Sequence, residues 1–169
     1  MRVTDKHIFF WGEWPSNWFP THFIVKEGRN ELEFFNSEQY FMYRKAKTFG
    51  DEEIAERILS EGKNPKTAKA LGRKVKNYDD TVWSEKRYQV MTDAVMCKFS
   101  QDEKLKELLM NSEFDGKKFV ESSPLDRVWG VGLAENDPLI DDESTWNGLN
   151  LLGKALDDVR DKLKEKSAI

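Results

Sequence analysis

The sequence predicts a mainly α (α+β) fold: a compact, single helical domain with a few short antiparallel strands. Three observations lead there. From residue 36 onward apolar residues recur at helical spacing, whereas before it they come in short aromatic or β-branched runs. The chain has 169 residues, 38% hydrophobic and 12% aromatic, enough for one real core. Repeats, linkers and low-complexity blocks are all missing, so residues 1–169 read as one domain with its core at about 8–163.

The elements follow in order. Ile8 to Trp11 reads as a buried strand, and Gly12 to Pro20, with its prolines and aromatics, as an irregular loop. Phe23–Val25 and Leu32–Phe34 read as two strands joined through a turn that uses Gly28 and Asn30. Asn36 or Ser37 caps a helix to about Thr48. A second helix starts near Asp51, with Ile54, Ile58 and Leu59 on its apolar side. Asn64-Pro65 opens a third, which Gly72 stops. Trp83-Ser84 opens a longer helix to about Phe99, and Leu105, Leu108 and Leu109 mark another. Phe119-Val120 is a brief strand, Asp137 to Glu143 an acidic surface loop, and the last helix runs from about Asn147–Asn150 past Leu163.

Composition limits function. Net charge is −4, which counts against general binding of a nucleic-acid backbone, although a local basic patch can still hold one or two phosphates. One cysteine, Cys97, rules out an internal disulfide or a cysteine-rich zinc site. His7 and His22 lack metal-ligand spacing, so neither a metal nor any cofactor is expected. No apolar run reaches the roughly 18 residues of a membrane span. The expectation is a cytoplasmic protein of a reducing compartment, with no membrane association and no obligate protein partner.

Glu121-Ser122-Ser123-Pro124-Leu125-Asp126-Arg127-Val128-Trp129-Gly130-Val131-Gly132 is too irregular for a helix or strand and too rich in functional side chains for a core. Glu121 follows an apolar strand, where surroundings set the pKa of a carboxyl. Asp126 precedes Arg127, and Trp129 is wedged between Arg127 and Gly130. Gly130-Val131-Gly132 lacks the third glycine of a dinucleotide fingerprint and reads as backbone that turns tightly or passes close to a ligand. Glu38, Met42 and Lys45, at i, i+4 and i+7, share one helix face. Lys45, Arg73 and Lys98 are candidate phosphate contacts, because a cation among apolar side chains needs an anionic partner. Carboxylates beside an anomeric carbon suit cleavage of a glycosidic bond, whose transition state places positive charge on the sugar. Aromatic rings such as Trp18 and Trp129 suit stacking on a base.

In order along the chain, these marks resemble the NADAR family, also described as YbiA-like proteins. They are Ser16-Asn17 in an aromatic loop; Glu38, Tyr40 and Lys45 in N-S-E-Q-Y-F-M-Y-R-K-A; Gly72-Arg73; Trp83; and Met91 with Lys98-Phe99. Then come Val120-Glu121; Trp129-Gly130-Val131-Gly132; Trp146 before Gly148-x-Asn150-Leu151-Leu152-Gly153; and Val159-Arg160. The resemblance implies a metal-independent N-glycosidase acting on a small nucleotide-like molecule, such as riboflavin-pathway intermediates, or on an ADP-ribosylated nucleobase in nucleic acid. It implies catalytic roles for Glu38 and Glu121. Asp126, from the reading of the loop, is a further catalytic candidate, for handling protons. Ser16, Asn17, Trp18, Lys45, Arg73, Trp83, Lys98, Trp129, Gly130 and Asn150 become substrate-binding candidates. A non-catalytic ADP-ribose or nucleotide reader is the alternative. The Trp11-Gly12-Glu13-Trp14-Pro15 run departs from the usual aliphatic residues before Ser-Asn.

Overall fold

The computed structural model describes residues 1–168. They form two compact units: Met1–Ser16 with the chain from Lys104 onward, and Asn17–Glu103.

The first unit is built on a three-stranded sheet of β1 (Arg2–Val3), β2 (His7–Phe10) and β5 (Lys118–Glu121), in the order β1-β2-β5. β1 and β2 are antiparallel, but β2 and β5 are parallel, pairing Ile8 with Phe119 and Phe10 with Glu121. That parallel pairing was not anticipated among the expected antiparallel strands. Its partners lie more than a hundred residues apart in the chain, and nothing local announces it. One face of the sheet buries Phe9 and Val120 with Val131, Leu133 and Ile140, and Trp146 packs against them. The short helix α5 (Glu103–Leu109) begins at the unit boundary, and α6 (Leu151–Ser167) packs along β5. Leu152, Leu156, Val159 and Leu163 form the buried side of α6, as their spacing predicts.

The outer edge of β5 is closed by side chains of α6 and its cap. Asn150 accepts from the Glu121 N–H (3.0 Å) and donates to the Phe119 carbonyl (3.0 Å), while Asp157 accepts from the Phe119 N–H (3.0 Å). A bare strand edge leaves such groups unpaired and open to a further strand. Arg160, 6% exposed, lies over the Phe119 ring and donates to the carbonyls of Phe114 and Lys117.

The second unit holds the expected hairpin, β3 (Phe23–Glu27) with β4 (Asn30–Phe34), and four helices: α1 (Ser37–Thr48), α2 (Glu52–Glu61), α3 (Pro65–Gly72) and α4 (Asp80–Gln101). Asn36, Asp51 and Asn64 cap the first three through side-chain oxygens that accept backbone N–H bonds. α4 starts one turn before the expected Trp83, because Asp79 accepts from the Thr81 and Val82 N–H groups. Gln101 at its far end bonds both the N–H and the carbonyl of Ile24, closing an edge of β3 as Asn150 closes β5.

Candidate functional site

In the second unit, α1 brings the first acidic candidate into place. Asn36 caps the helix by accepting from the Gln39 N–H at 2.7 Å, and its amide donates to the carbonyls of Gly62 and Lys63. The Glu38 N–H donates to the Asn17 carbonyl (3.2 Å), and Asn17 Nδ2 reaches Met91 Sδ (3.4 Å). Glu38 is 7% exposed, a buried acidic residue. Two turns along the same face, half-buried Lys45 lies 4.7 Å over the Tyr78 ring. Burial lowers the Lys45 pKa; Arg73 acts in the same direction and Glu38 opposes it. Glu38 and Arg73 therefore each lie within electrostatic reach of Lys45, although α1 and the exit of α3 supply these residues from separate stretches of chain. Gly72 lets α3 approach: a Cβ there would overlap the Met42 side chain, the residue between Glu38 and Lys45 on that face.

The other candidates of this unit are placed differently. Lys98 is 1% exposed, with its ammonium 5.8 Å from the Phe19 ring and 5.0 Å from the Phe99 ring. Burial pushes its pKa down to about 7, with Asp102 opposing. Trp83 is buried against Phe41 and Phe49, a packing role. Trp18 is 43% exposed.

In the first unit the candidates gather in the loop after β5. Glu121 ends that strand, half-buried, on the sheet face that carries Phe10 and Phe119. Its N–H is bonded by Asn150, and its carbonyl accepts from the Val131 N–H (3.1 Å). Asp126 Oδ1 accepts from the N–H groups of Val128 (2.9 Å) and Trp129 (2.8 Å), so this carboxylate organises the turn that presents Trp129. Gly130 is buried where a Cβ would lie 2.9 Å from the Glu121 carbonyl oxygen and 3.1 Å from that of Asp126. Its lack of a side chain serves close packing inside the loop, and Gly132, at φ +72°, supplies the tight turn. Ser16, also of this unit, is buried, and its N–H donates to the Glu13 carbonyl.

Sequence reasoning missed how α6 begins. Asn150 is in the left-handed region (φ 52°) and makes no side-chain cap. The N–H groups of Asn150, Leu151 and Leu152 donate instead to the carbonyls of Gly130, Val128 and Trp129. The loop caps the helix, so these donors are already engaged and are not a ready anion site. Asn150 spends its amide on β5, which makes it a support for Glu121. The Gly148-x-Asn-Leu-Leu-Gly153 run carried the signal: a Cβ at either glycine would overlap backbone, at Gly148 the carbonyl of Gly130 and at Gly153 the carbonyl of Phe119. Among the described residues no cluster of three or more potential metal ligands occurs, and no helix is long and apolar enough to cross a membrane.

Comparison with known proteins places the chain in a family. The family model of the NADAR domain matches residues 9–164, which run through both units. The chain is 42% identical over 160 residues to Protein irg-1 of Caenorhabditis elegans, covering 88% of this chain and 74% of that one. It is 37% identical over 168 residues to N-glycosidase R617 of Acanthamoeba polyphaga mimivirus, covering 94% and 97%. The NMR structure of the E. coli protein YbiA superimposes with a TM-score of 0.76 at 26% identity, covering 99% of this chain and 90% of that one. Relatives named as N-glycosidases support the expected enzyme class, a hydrolase of N-glycosyl compounds. The chain belongs to the NADAR domain family.

Proposed function

We propose that this protein hydrolyses the N-glycosidic bond between a phosphoribosyl or ADP-ribosyl group and an amine or nucleobase, in the cytoplasm. The observation that carries this reading is the grouping around Lys45, which has both the nearly buried Glu38 and the exposed Arg73 in electrostatic reach. Departure of the amine leaves positive charge on C1′ and the ring oxygen, and a carboxylate held out of water stabilises that charge. Arg73, exposed at the end of α3, suits a phosphate.

Lys45 suits a more chemical part. With its pKa lowered by burial and by Arg73, its amine is closer to neutrality than a free lysine, so it exchanges a proton or attacks a carbon more readily. Lys45→Arg keeps the charge and removes that chemistry. If Lys45 only holds phosphate, this variant keeps most of its turnover; if the amine reacts, turnover falls at least ~100-fold, the scale of general acid–base catalysis.

Glu121 is the second acidic candidate. Asp126 and Asn150 act as positioning residues for the loop and strand that carry it, and Trp129 and Trp18 are offered as stacking rings. Glu38→Gln and Glu121→Gln, each assayed alone, decide which carboxylate the reaction needs. The substrate panel comprises phosphoribosylamino-pyrimidines and an ADP-ribosylated nucleoside, scored for freed base and freed sugar phosphate. Release of both in equal amounts supports the reading. Tight binding with fully intact ligand would instead assign a nucleotide reader.

A further inference from the structure

We infer that the solvent face of α3 and its exit are a binding surface for a single-stranded nucleic-acid backbone. Residues 62–78 carry six cations (Lys63, Lys66, Lys69, Arg73, Lys74 and Lys76) and no acid, in a chain whose net charge is −4. The remainder of the chain therefore holds twenty-one cations against thirty-one acids, and the overall charge hides a segregated basic stretch.

The fold sets these cations out in a row. Lys66, Lys69 and Arg73 follow at i, i+3 and i+7, one face of the helix and its cap, while Ala68, Leu71 and Gly72 form the buried side. Five of the six are exposed and Lys69 is half-buried. Among the described residues none of them takes part in an ion pair, whereas lysines and arginines elsewhere do. The acids that flank the stretch are engaged: Glu61 with Arg57, Asp79 with the start of α4, and Asp80 with the Tyr78 hydroxyl. Lys74 and Lys76 act electrostatically on Glu61 and Asp51, and Lys63 lies over the Phe35 ring. Lys66, Lys69 and Arg73, about one helical turn apart, are the cations whose spacing suits a polyanion of regular charge spacing. An anionic membrane fits less well, since no bulky apolar residue is exposed between Lys63 and Lys76; the nearest, Tyr78, has its ring under Lys45 and its hydroxyl on Asp80. At its end the row reaches Arg73, which lies within electrostatic reach of Lys45.

The inference stands apart from the glycosidase reading and is tested without it. Unmodified, dye-labelled 12-nucleotide RNA and DNA strands are titrated with the full chain, and binding is read by anisotropy between about 50 and 200 mM salt. With about four phosphates contacted, affinity is expected to fall ~50-fold over that range. Lys66→Ala/Lys69→Ala/Lys74→Ala should lower the slope of log affinity against log salt by about 2. Turnover of a free small nucleotide substrate by this variant should stay within about twofold of wild type, since none of the three residues belongs to the proposed site. Three results overturn the inference: no binding by the wild type at the lower salt, equal binding by the triple variant, or polyglutamate or anionic vesicles binding as tightly as the strands.

Discussion

Lys45 and Lys98 share a residue type, yet burial treats them differently. Lys45 is half-buried beside Glu38, so its lowered pKa is a local adjustment within a group of charges. Lys98 is enclosed between phenylalanine rings, and its pKa near 7, against the usual 10.5, has consequences for folding. Between those two values the unfolded chain binds the extra proton, so stability rises with pH through that window. Urea unfolding from pH 7 to 10 should therefore show the wild type gaining on Lys98→Met as pH rises. A gap that stays constant would show that the buried amine keeps an ordinary pKa. The sequence made Lys98 visible as a cation on an apolar helix, but not its enclosure, because Phe19 comes from a loop some eighty residues earlier in the chain. Asp126 illustrates the opposite limit. Its carboxylate was legible as a candidate acid, and only the loop geometry shows it accepting two backbone N–H bonds.

Helix starts were legible wherever a cap stands next to an apolar onset, as at Asn36, Asp51 and Asn64-Pro65. α4 was read a turn late because Asp79 lies in a charged stretch, and its first buried residue is Trp83. The hold of α6 on β5 was not legible, since it runs through side chains bonding to backbone rather than through an apolar pattern. It is the element on which two stability predictions rest. Arg160→Leu removes the donor to the Lys117 carbonyl and one of two donors to the Phe114 carbonyl, which keeps the Lys117 N–H, and should cost about 1–3 kcal/mol in urea unfolding. Gly153→Ala drives a Cβ into the Phe119 carbonyl and the Asn150 amide, and overpacking of this kind should cost about 1–3 kcal/mol. Because Asn150 also bonds the Glu121 N–H, Gly153→Ala should lower turnover as well. A loss of stability with full activity would separate Glu121 from the chemistry.

At the scale of the molecule, a mainly helical chain with short strands was readable from periodicity alone, while the parallel pairing of β2 with β5 was not. A strand of four residues specifies neither its partner nor its direction, and here the partners lie more than a hundred residues apart. The ordered series of marks through the chain was the more informative signal, and the family match over residues 9–164 agrees with it. We read those residues as one NADAR domain. We propose that it cleaves a ribosyl C–N bond with the help of a buried carboxylate. The most direct measurement incubates wild type, Glu38→Gln and Glu121→Gln with an ADP-ribosylated nucleoside and a phosphoribosylamino-pyrimidine, following freed base and sugar phosphate over time. The account predicts stoichiometric release of both by the wild type and at least a ~100-fold loss in one or both variants, with melting temperatures unchanged. Equal turnover in all three proteins, or recovery of intact ligand from a wild type that binds it, would contradict it.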